Sequence, residues 1–256
     1  MTGFFSRFLQ QAIKGGETRV TGAPTSTNRA SSFHLNWEIP QVPLREVRAT
    51  IEVTEPPTVS MLYFWALQVS FVGPSGRIGG AHIGLQHHAS YPGGAAVNWG
   101  GYRDGAGELE GSVSALPSAL SNINTRNFAW QPNNRYTLRV YRSPEQGWRG
   151  SIVNHTTEEE TVIRDLWVDA DHLLSPVVWS EVFAHCDHPS AAVRWTELIG
   201  VGVDGTHHES RSVRLNYQTH QDGGCANTNT SIDGNGFLQR TNIERVNRTG
   251  QILSLP

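Results

Sequence analysis

The chain has 256 residues and a formal net charge of −3. No run of basic residues is present, which excludes nucleic acid as the main partner. No stretch approaches the roughly 20 apolar residues that a membrane span needs, so we expect none. With 38% hydrophobic residues, the chain can bury a sizeable core.

The first 32 residues differ in character from the rest. Residues 17–32 are rich in Thr, Ser, Gly and Asn, which predicts a linker before a domain spanning 33–256. The start is a poor signal peptide, so we expect a soluble protein, with export by another route left open. Apolar side chains recur at helical spacing and predict a short amphipathic helix over 3–14: Phe4, Phe5, Phe8, Leu9 and Ile13.

From Phe33 onward, short alternating segments separated by Gly- and Pro-containing turns predict strands. With no long helical segment between them, they favour an all-β fold, an antiparallel β-sandwich of jelly-roll or lectin-like type. Leu116–Asn122 is predicted to be a short helical turn. The predicted strands are Val47–Val53, Ser60–Val72, Gly79–His88, Ala95–Tyr102, Arg135–Tyr141, Gly150–Asn154, Thr161–Leu166, Val177–Cys186 and Ser212–Gln218, with Leu198–Val203 and Gly236–Ile243 as weaker candidates.

Alternate residues of a strand point to opposite faces, so each strand divides into a core side and an outer side. The outer sides carry amides, arginines, histidines and aromatic rings, where an ordinary solvated face favours Lys, Glu, Thr and Ser. Aromatic rings stack on sugars and amides bind hydroxyl groups, so we expect a saccharide site on a concave sheet face. The predicted ligand-binding residues are Gln68, Gln86, His88, Arg139, Tyr141, Trp179, Glu181, Arg214 and Asn216.

Three other functions stay open at this point. Cross-strand pairs, such as Arg139 or Arg214 with Glu181, would give the same residues a structural role. A polysaccharide lyase or a glycoside hydrolase could use the same face, with His88, Tyr141 and Glu181 as candidate catalytic residues. An assembly protein would instead use the N-terminal helix as a docking element. The sequence leaves enzymatic activity undecided.

The two cysteines, Cys186 and Cys225, are expected to form one disulfide, with two buried thiols as the alternative. The histidine pairs lack the spacing of a zinc site, so no transition-metal site is expected. Asp204-Gly205 and the turn 233–236 are read first as turns, although a structural calcium ion is possible there.

Several segments resemble an uncharacterised group of bacterial proteins with concanavalin-like sandwiches: Trp37-Glu-Ile-Pro40, Gly84-Leu85-Gln86 and Trp179–Ala184. The resemblance implies the fold and a carbohydrate-linked setting, but no catalytic residues. Val213–Gln218 and Gln86-His87-His88 also resemble, more loosely, elements of jelly-roll polysaccharide lyases of the alginate-lyase type. That second resemblance implies elimination chemistry on a uronic acid.

Overall fold

The computed structural model describes residues 19–105 and 107–256, and within them the protein is built almost entirely of antiparallel strands. A 3₁₀ turn lies at Pro92–Gly94. The strands are β1 (Ser31–Trp37), β2 (Leu44–Glu55), β3 (Tyr63–Gly73), β4 (Gly76–His87), β5 (Ala95–Arg103), β6 (Gly107–Glu108), β7 (Thr125–Asn127), β8 (Arg135–Arg142), β9 (Trp148–Asn154), β10 (Glu159–Leu166), β11 (His172–Val182), β12 (Ala192–Gly202), β13 (His207–Glu209), β14 (Ser212–Tyr217), β15 (Thr228–Asp233), β16 (Gly236–Thr241) and β17 (Ile252–Ser254).

The pairings arrange these strands in two layers. Sheet A has the order β17-β14-β1-β11-β3-β4-β5, with β6 and β7 beside β5. Sheet B has the order β10-β9-β8-β2-β12, with β13 and β16 beside β12 and β15 beyond β16. The pair Leu173–Leu44 joins the two layers, so one curled sheet closes into a jelly-roll sandwich, as the sequence predicted.

The core lies between the layers and consists of the inward members of each alternating strand. On β3 these are Tyr63, Trp65, Leu67, Val69 and Phe71, all almost completely buried. Facing side chains from sheet B complete a single large apolar cluster. Its largest members include four tryptophans, Trp65, Trp99, Trp148 and Trp195.

One buried amide connects the layers. The Gln239 side chain, on β16, accepts hydrogen bonds from Trp195 Nε1 (2.9 Å) and Ser180 Oγ (2.8 Å) and donates to the Phe33 carbonyl (2.8 Å). Gln239 is 1% exposed, so each of its polar atoms depends on these partners.

Most predicted strands are present, but the sequence missed β1, the first half of β12, the whole of β15 and the short strands β6, β7, β13 and β17. In β12 the alternation breaks because the register shifts between Thr196 and Ile199, where Glu197 takes a positive φ of 52°. Such a bulge changes which side of the strand the following residues face. The alternation of apolar and polar residues is therefore interrupted, and the sequence does not predict a strand there.

Residues 116–122 are not helical, and the predicted turn is wrong. Ser118 forms an isolated bridge with Arg126, and Ser121 adopts a positive φ of 54°, which a helix does not accommodate. The predicted helix over 3–14 lies outside the described residues.

The predicted disulfide joins Cys186 to Cys225. The segment that precedes β1 is hydrogen-bonded beside this bridge: the Cys186 amide donates to the Gly22 carbonyl and Asn227 Nδ2 donates to the Val20 carbonyl. Over 19–105 and 107–256, no helix is long and apolar enough to cross a membrane.

Candidate functional site

The side of sheet A that faces away from the core carries the candidate site, which we call the outer face of sheet A. Three rows of directly paired residues cross it. The first row is Ser32, Glu181, Phe64, Gln86, Ala96 and Asn127; the second is Asn216, His34, Trp179, Ala66, Gly84, Asn98 and Thr125; the third is Arg214, Asn36, Val177, Gln68, His82 and Gly100.

The middle of this face is apolar and buried, although no strand of sheet B covers it in the described part of the chain. Phe64, Ala66, Val177 and Trp179 form a second hydrophobic cluster, separate from the core. The Trp179 ring meets Phe64 edge-on, at 4.9 Å between ring centroids, and its Nε1 donates to Gln68 Oε1 at 3.2 Å. The indole is therefore a fixed part of the floor, exposed by only 6%.

Glu181 lies at one end of the first row. Asn28 Nδ2 donates to its Oε1 at 2.9 Å, and Ser32 Oγ donates to the same oxygen at 3.4 Å. Within the described residues, Oε2 has no hydrogen-bond partner. Burial raises the pKa of this carboxyl group, and the two hydrogen bonds offset the rise only in part.

Gln86 lies in the same row, beyond Phe64. The Tyr91 hydroxyl donates to Gln86 Oε1 at 2.9 Å, and Trp130 Nε1 donates to the Gln86 backbone carbonyl at 3.0 Å. These bonds fix the position of the Gln86 side-chain amide and engage its Oε1. Its Nε2 has no acceptor among the described residues. The Nε2 N–H groups of Gln86 are therefore available to donate to a ligand on this face.

Two histidines lie next to the cluster. His82 contacts Phe64 and Trp179 edge-on, and burial lowers its pKa to about 4. Burial also lowers the pKa of His34, whose ring is 6.2 Å from that of Trp179 between centroids. Both imidazoles are therefore neutral at neutral pH, and the polar groups of this face carry little positive charge near Glu181.

Asn98 completes the site on the β5 side. Its Nδ2 donates to Thr125 Oγ1 at 2.9 Å, while its Oδ1 is buried and has no partner. Gly84 lies directly opposite Asn98 on β4 and contributes no side chain. Since a Cβ at Gly84 would come within 2.1 Å of the Trp65 carbonyl, the strands pack too closely there for any other residue.

The structure divides the predicted ligand-binding residues between two surfaces. Gln68, Gln86, Trp179, Glu181, Arg214 and Asn216 lie on the outer face of sheet A. His88 lies just past the end of β4, where its ring meets Tyr91 edge-on. Arg214 and Asn216 are at the exposed margin, and Arg214 pairs with Glu38 rather than Glu181.

Arg139 and Tyr141 lie on the other layer, so the expectation that they share a face with Glu181 is wrong. They belong to β8 of sheet B, where Arg139 forms ion pairs with Glu46 and Glu160. The Tyr141 hydroxyl donates to Glu160 at 3.2 Å. Alternation assigns a residue to one side of its strand, but not to one of two sheets.

Sequence reasoning missed Phe64, His82 and Asn98 as parts of the site. Phe64 and His82 follow the same alternation as Gln68 and Gln86, so the pattern contained the signal for both. The sequence contained no signal for Asn98, because its importance depends on a buried side-chain oxygen without a partner, which only the packing reveals.

No metal centre is apparent in the part of the chain that the structure describes. No group of three or more His, Cys, Asp or Glu side chains comes close enough there to hold an ion.

Comparison with known proteins finds no matching family and no matching curated sequence. Among solved structures, the chain is similar to scytalido-glutamic peptidase bound to a peptide-based transition-state analogue, with 12% identity over 86% of this chain and 98% of that chain, at a TM-score of 0.46. SCP-B, of the eqolisin family of peptidases, bound to the tripeptide Ala-Ile-His, gives 11% identity over 87% and 99%, at 0.42. An alginate lyase Aly36B mutant bound to alginate tetrasaccharide gives 9% over 87% and 72%, at 0.30. Likeness at these values assigns no function.

Proposed function

We propose that this protein is a hydrolase that cleaves peptide bonds at a carboxyl–amide pair formed by Glu181 and Gln86. The observation that carries the proposal is their arrangement: the two side chains occupy one row, on either side of Phe64, and each presents an unengaged polar atom. Two strand steps separate their backbones by about 10 Å. In this proposal the scissile group and a water molecule bind over Phe64, between the two side chains.

Each partner suits a distinct part of the reaction. Glu181 Oε2, as carboxylate, takes a proton from water while the water oxygen bonds to the carbonyl carbon. The carbonyl π electrons move to oxygen, and Gln86 Nε2 donates a hydrogen bond to the resulting oxyanion. When the C–N bond breaks, the departing nitrogen takes the proton held by Glu181, and the products are a carboxylic acid and an amine.

The surroundings favour an amide substrate. Asn98 Oδ1 is a buried acceptor without a donor, which is costly unless a ligand supplies one. A backbone N–H of a bound peptide is such a donor. The apolar floor formed by Phe64 and Trp179 would take a substrate side chain.

The two reactions considered from sequence are less well supported. A glycoside hydrolase needs two carboxyl groups, and Glu181 is the only one in the three described rows. The lyase set included Tyr141 together with His88 and Gln86, but Tyr141 lies on sheet B.

The test is to incubate the purified protein with a mixture of peptides of diverse sequence and to identify new termini by mass spectrometry. We expect cleavage by the wild type and by Glu244→Gln, an exposed control. Glu181→Gln should lose at least about 100-fold in rate, the usual contribution of a general base. Absence of cleavage by the wild type, or full activity in Glu181→Gln, would refute the proposal.

Saccharide binding on the same face is the second candidate. Asn36, Arg214 and Asn216 continue the face as exposed polar side chains at its β14 margin. Such a margin could bind hydroxyl or carboxylate groups of a polysaccharide. A panel of neutral and acidic polysaccharides tests this function: binding that weakens in Asn216→Ala supports it, and no binding excludes it.

The disulfide bears on where the protein works. Such bonds persist in oxidising compartments, and we therefore propose that this protein is exported. A free-thiol assay on protein isolated from intact cells tests this directly, because a reduced pair would contradict it.

A further inference from the structure

Two arginine side chains point between the layers at the β7 and β10 edges of the sandwich. Arg126 is paired with Val97, a core residue, so both side chains point inward from sheet A. Arg164 is paired with Gly150, whose Cα faces the buried Trp99 ring, so Arg164 points inward from sheet B. Arg126 is 8% exposed and Arg164 is 2% exposed.

Neither guanidinium has a carboxylate partner among the described residues. The Nε atoms of both are buried without a hydrogen-bond acceptor. Arg164 Nη1 donates a long bond, 3.4 Å, to the Ile123 carbonyl. Buried charges are almost always paired because removing them from water is costly, so two unpaired cations here are an unusual feature.

The nearby acidic groups do not pair with these two positive charges. Asp165 points to the opposite side of β10, where it pairs with Arg149 at 2.8 Å and accepts from Ser143. Glu108 is exposed and accepts a hydrogen bond from Asn124. Burial, and then the neighbouring positive charge of Arg126, lower the pKa of Arg164, and Glu108 opposes the change.

We propose that Arg126 and Arg164 form a binding site for a compact oxyanion, a carboxylate, sulfate or phosphate group. Each planar guanidinium presents parallel N–H groups that match two oxygens of such an anion. The loop between β6 and β7 packs on Arg164 at Gly111, where a Cβ would come within 2.6 Å of Nη2. A bound anion would neutralise the pair and stabilise this loop against the sandwich.

Thermal unfolding of the full chain tests the site, with sodium sulfate, inorganic phosphate or sodium acetate compared with sodium chloride at equal ionic strength. A ligand that binds only the folded state raises Tm, by about 5–10 °C for a chain of this size at hundredfold excess over Kd. We expect the rise to saturate for at least one oxyanion in the wild type and in the exposed control Arg248→Gln. It should disappear in Arg126→Gln and Arg164→Gln.

General salting effects of sulfate increase steadily without saturating, so the shape of the curve separates them from binding. An unsaturated rise, or an equal rise in wild type and Arg126→Gln, overturns the proposal. If Arg164→Gln does not fold, titration calorimetry of the wild type with the same three anions decides, since no heat of binding would exclude the site. The site is independent of Glu181 and Gln86, and each proposal can fail without the other.

Discussion

Glu181 and Gln86 lie in the same row of sheet A, with Phe64 of β3 between them. Each uses one oxygen for hydrogen bonds that fix its position, and each leaves its other polar atom unengaged within the described chain. The Phe64 ring between them meets Trp179 and His82 edge-on. A carboxyl group of raised pKa and a fixed amide donor therefore share one row on the outer face of sheet A.

Replacing Glu181 by Gln should not destabilise the protein at neutral pH. Burial raises the folded-state pKa above the ordinary 4.5, so ionisation favours the unfolded chain as the pH rises through that range. The amide carries no charge and can still accept from Asn28. Differential scanning calorimetry between pH 3.5 and 7.5 should show Glu181→Gln at least as stable as wild type at pH 7.5, with any advantage disappearing below about pH 4. A variant that is much less stable at neutral pH, while Glu244→Gln is unchanged, would contradict this.

His82 should make the protein sensitive to acid. Its folded-state pKa is about 4, below the ordinary 6.5, so the unfolded chain binds the proton first as the pH falls. Stability is therefore complete above about pH 6.5 and is lost between 6.5 and 4, by up to about 3 kcal/mol. His82→Phe keeps a ring against Phe64 and Trp179 and should remove that loss in urea titrations. The exposed control His207→Phe should retain it, and an unchanged slope in His82→Phe would refute the assignment.

Removing the disulfide should be costly. The bond closes a loop of 39 residues in sequence separation, which corresponds to about 4 kcal/mol of loop-closure entropy. The Cys186→Ala, Cys225→Ala double variant should show that loss in denaturant unfolding. It should also release the segment that holds Asn28 against Glu181, which faster hydrogen exchange in residues 19–30 would report. Unchanged exchange would show that the segment is held without the bond.

The Gln239 network should contribute strongly to stability. Gln239→Leu leaves Trp195 Nε1, Ser180 Oγ and the Phe33 carbonyl buried without their partner. At about 1–3 kcal/mol for each unsatisfied group, the loss in denaturant unfolding should reach at least about 3 kcal/mol. The exposed control Gln131→Leu should lose less than about 1 kcal/mol. A loss as small as the control's would show that the layers do not depend on this amide.

The sequence predicted the sandwich because its strands alternate cleanly, and the same alternation placed Gln86 and Glu181 on outer faces. It could not assign strands to layers, which depends on long-range pairing, and for that reason Arg139 and Tyr141 were grouped with residues of the other sheet. The irregular register of β12 near Glu197 hid a strand for a similar reason. The unpaired guanidiniums of Arg126 and Arg164 also become visible only once both layers are in place.

The central claim is that Glu181 and Gln86 act together on one substrate. The most direct measurement is kcat/KM for one cleaved peptide in wild type, Glu181→Gln, Gln86→Met and the double variant. We predict losses of at least about 100-fold in each single variant and a double variant no worse than Glu181→Gln alone, because groups that act as a unit are not additive. Wild-type activity in either single variant, or losses that multiply in the double variant, would contradict the account.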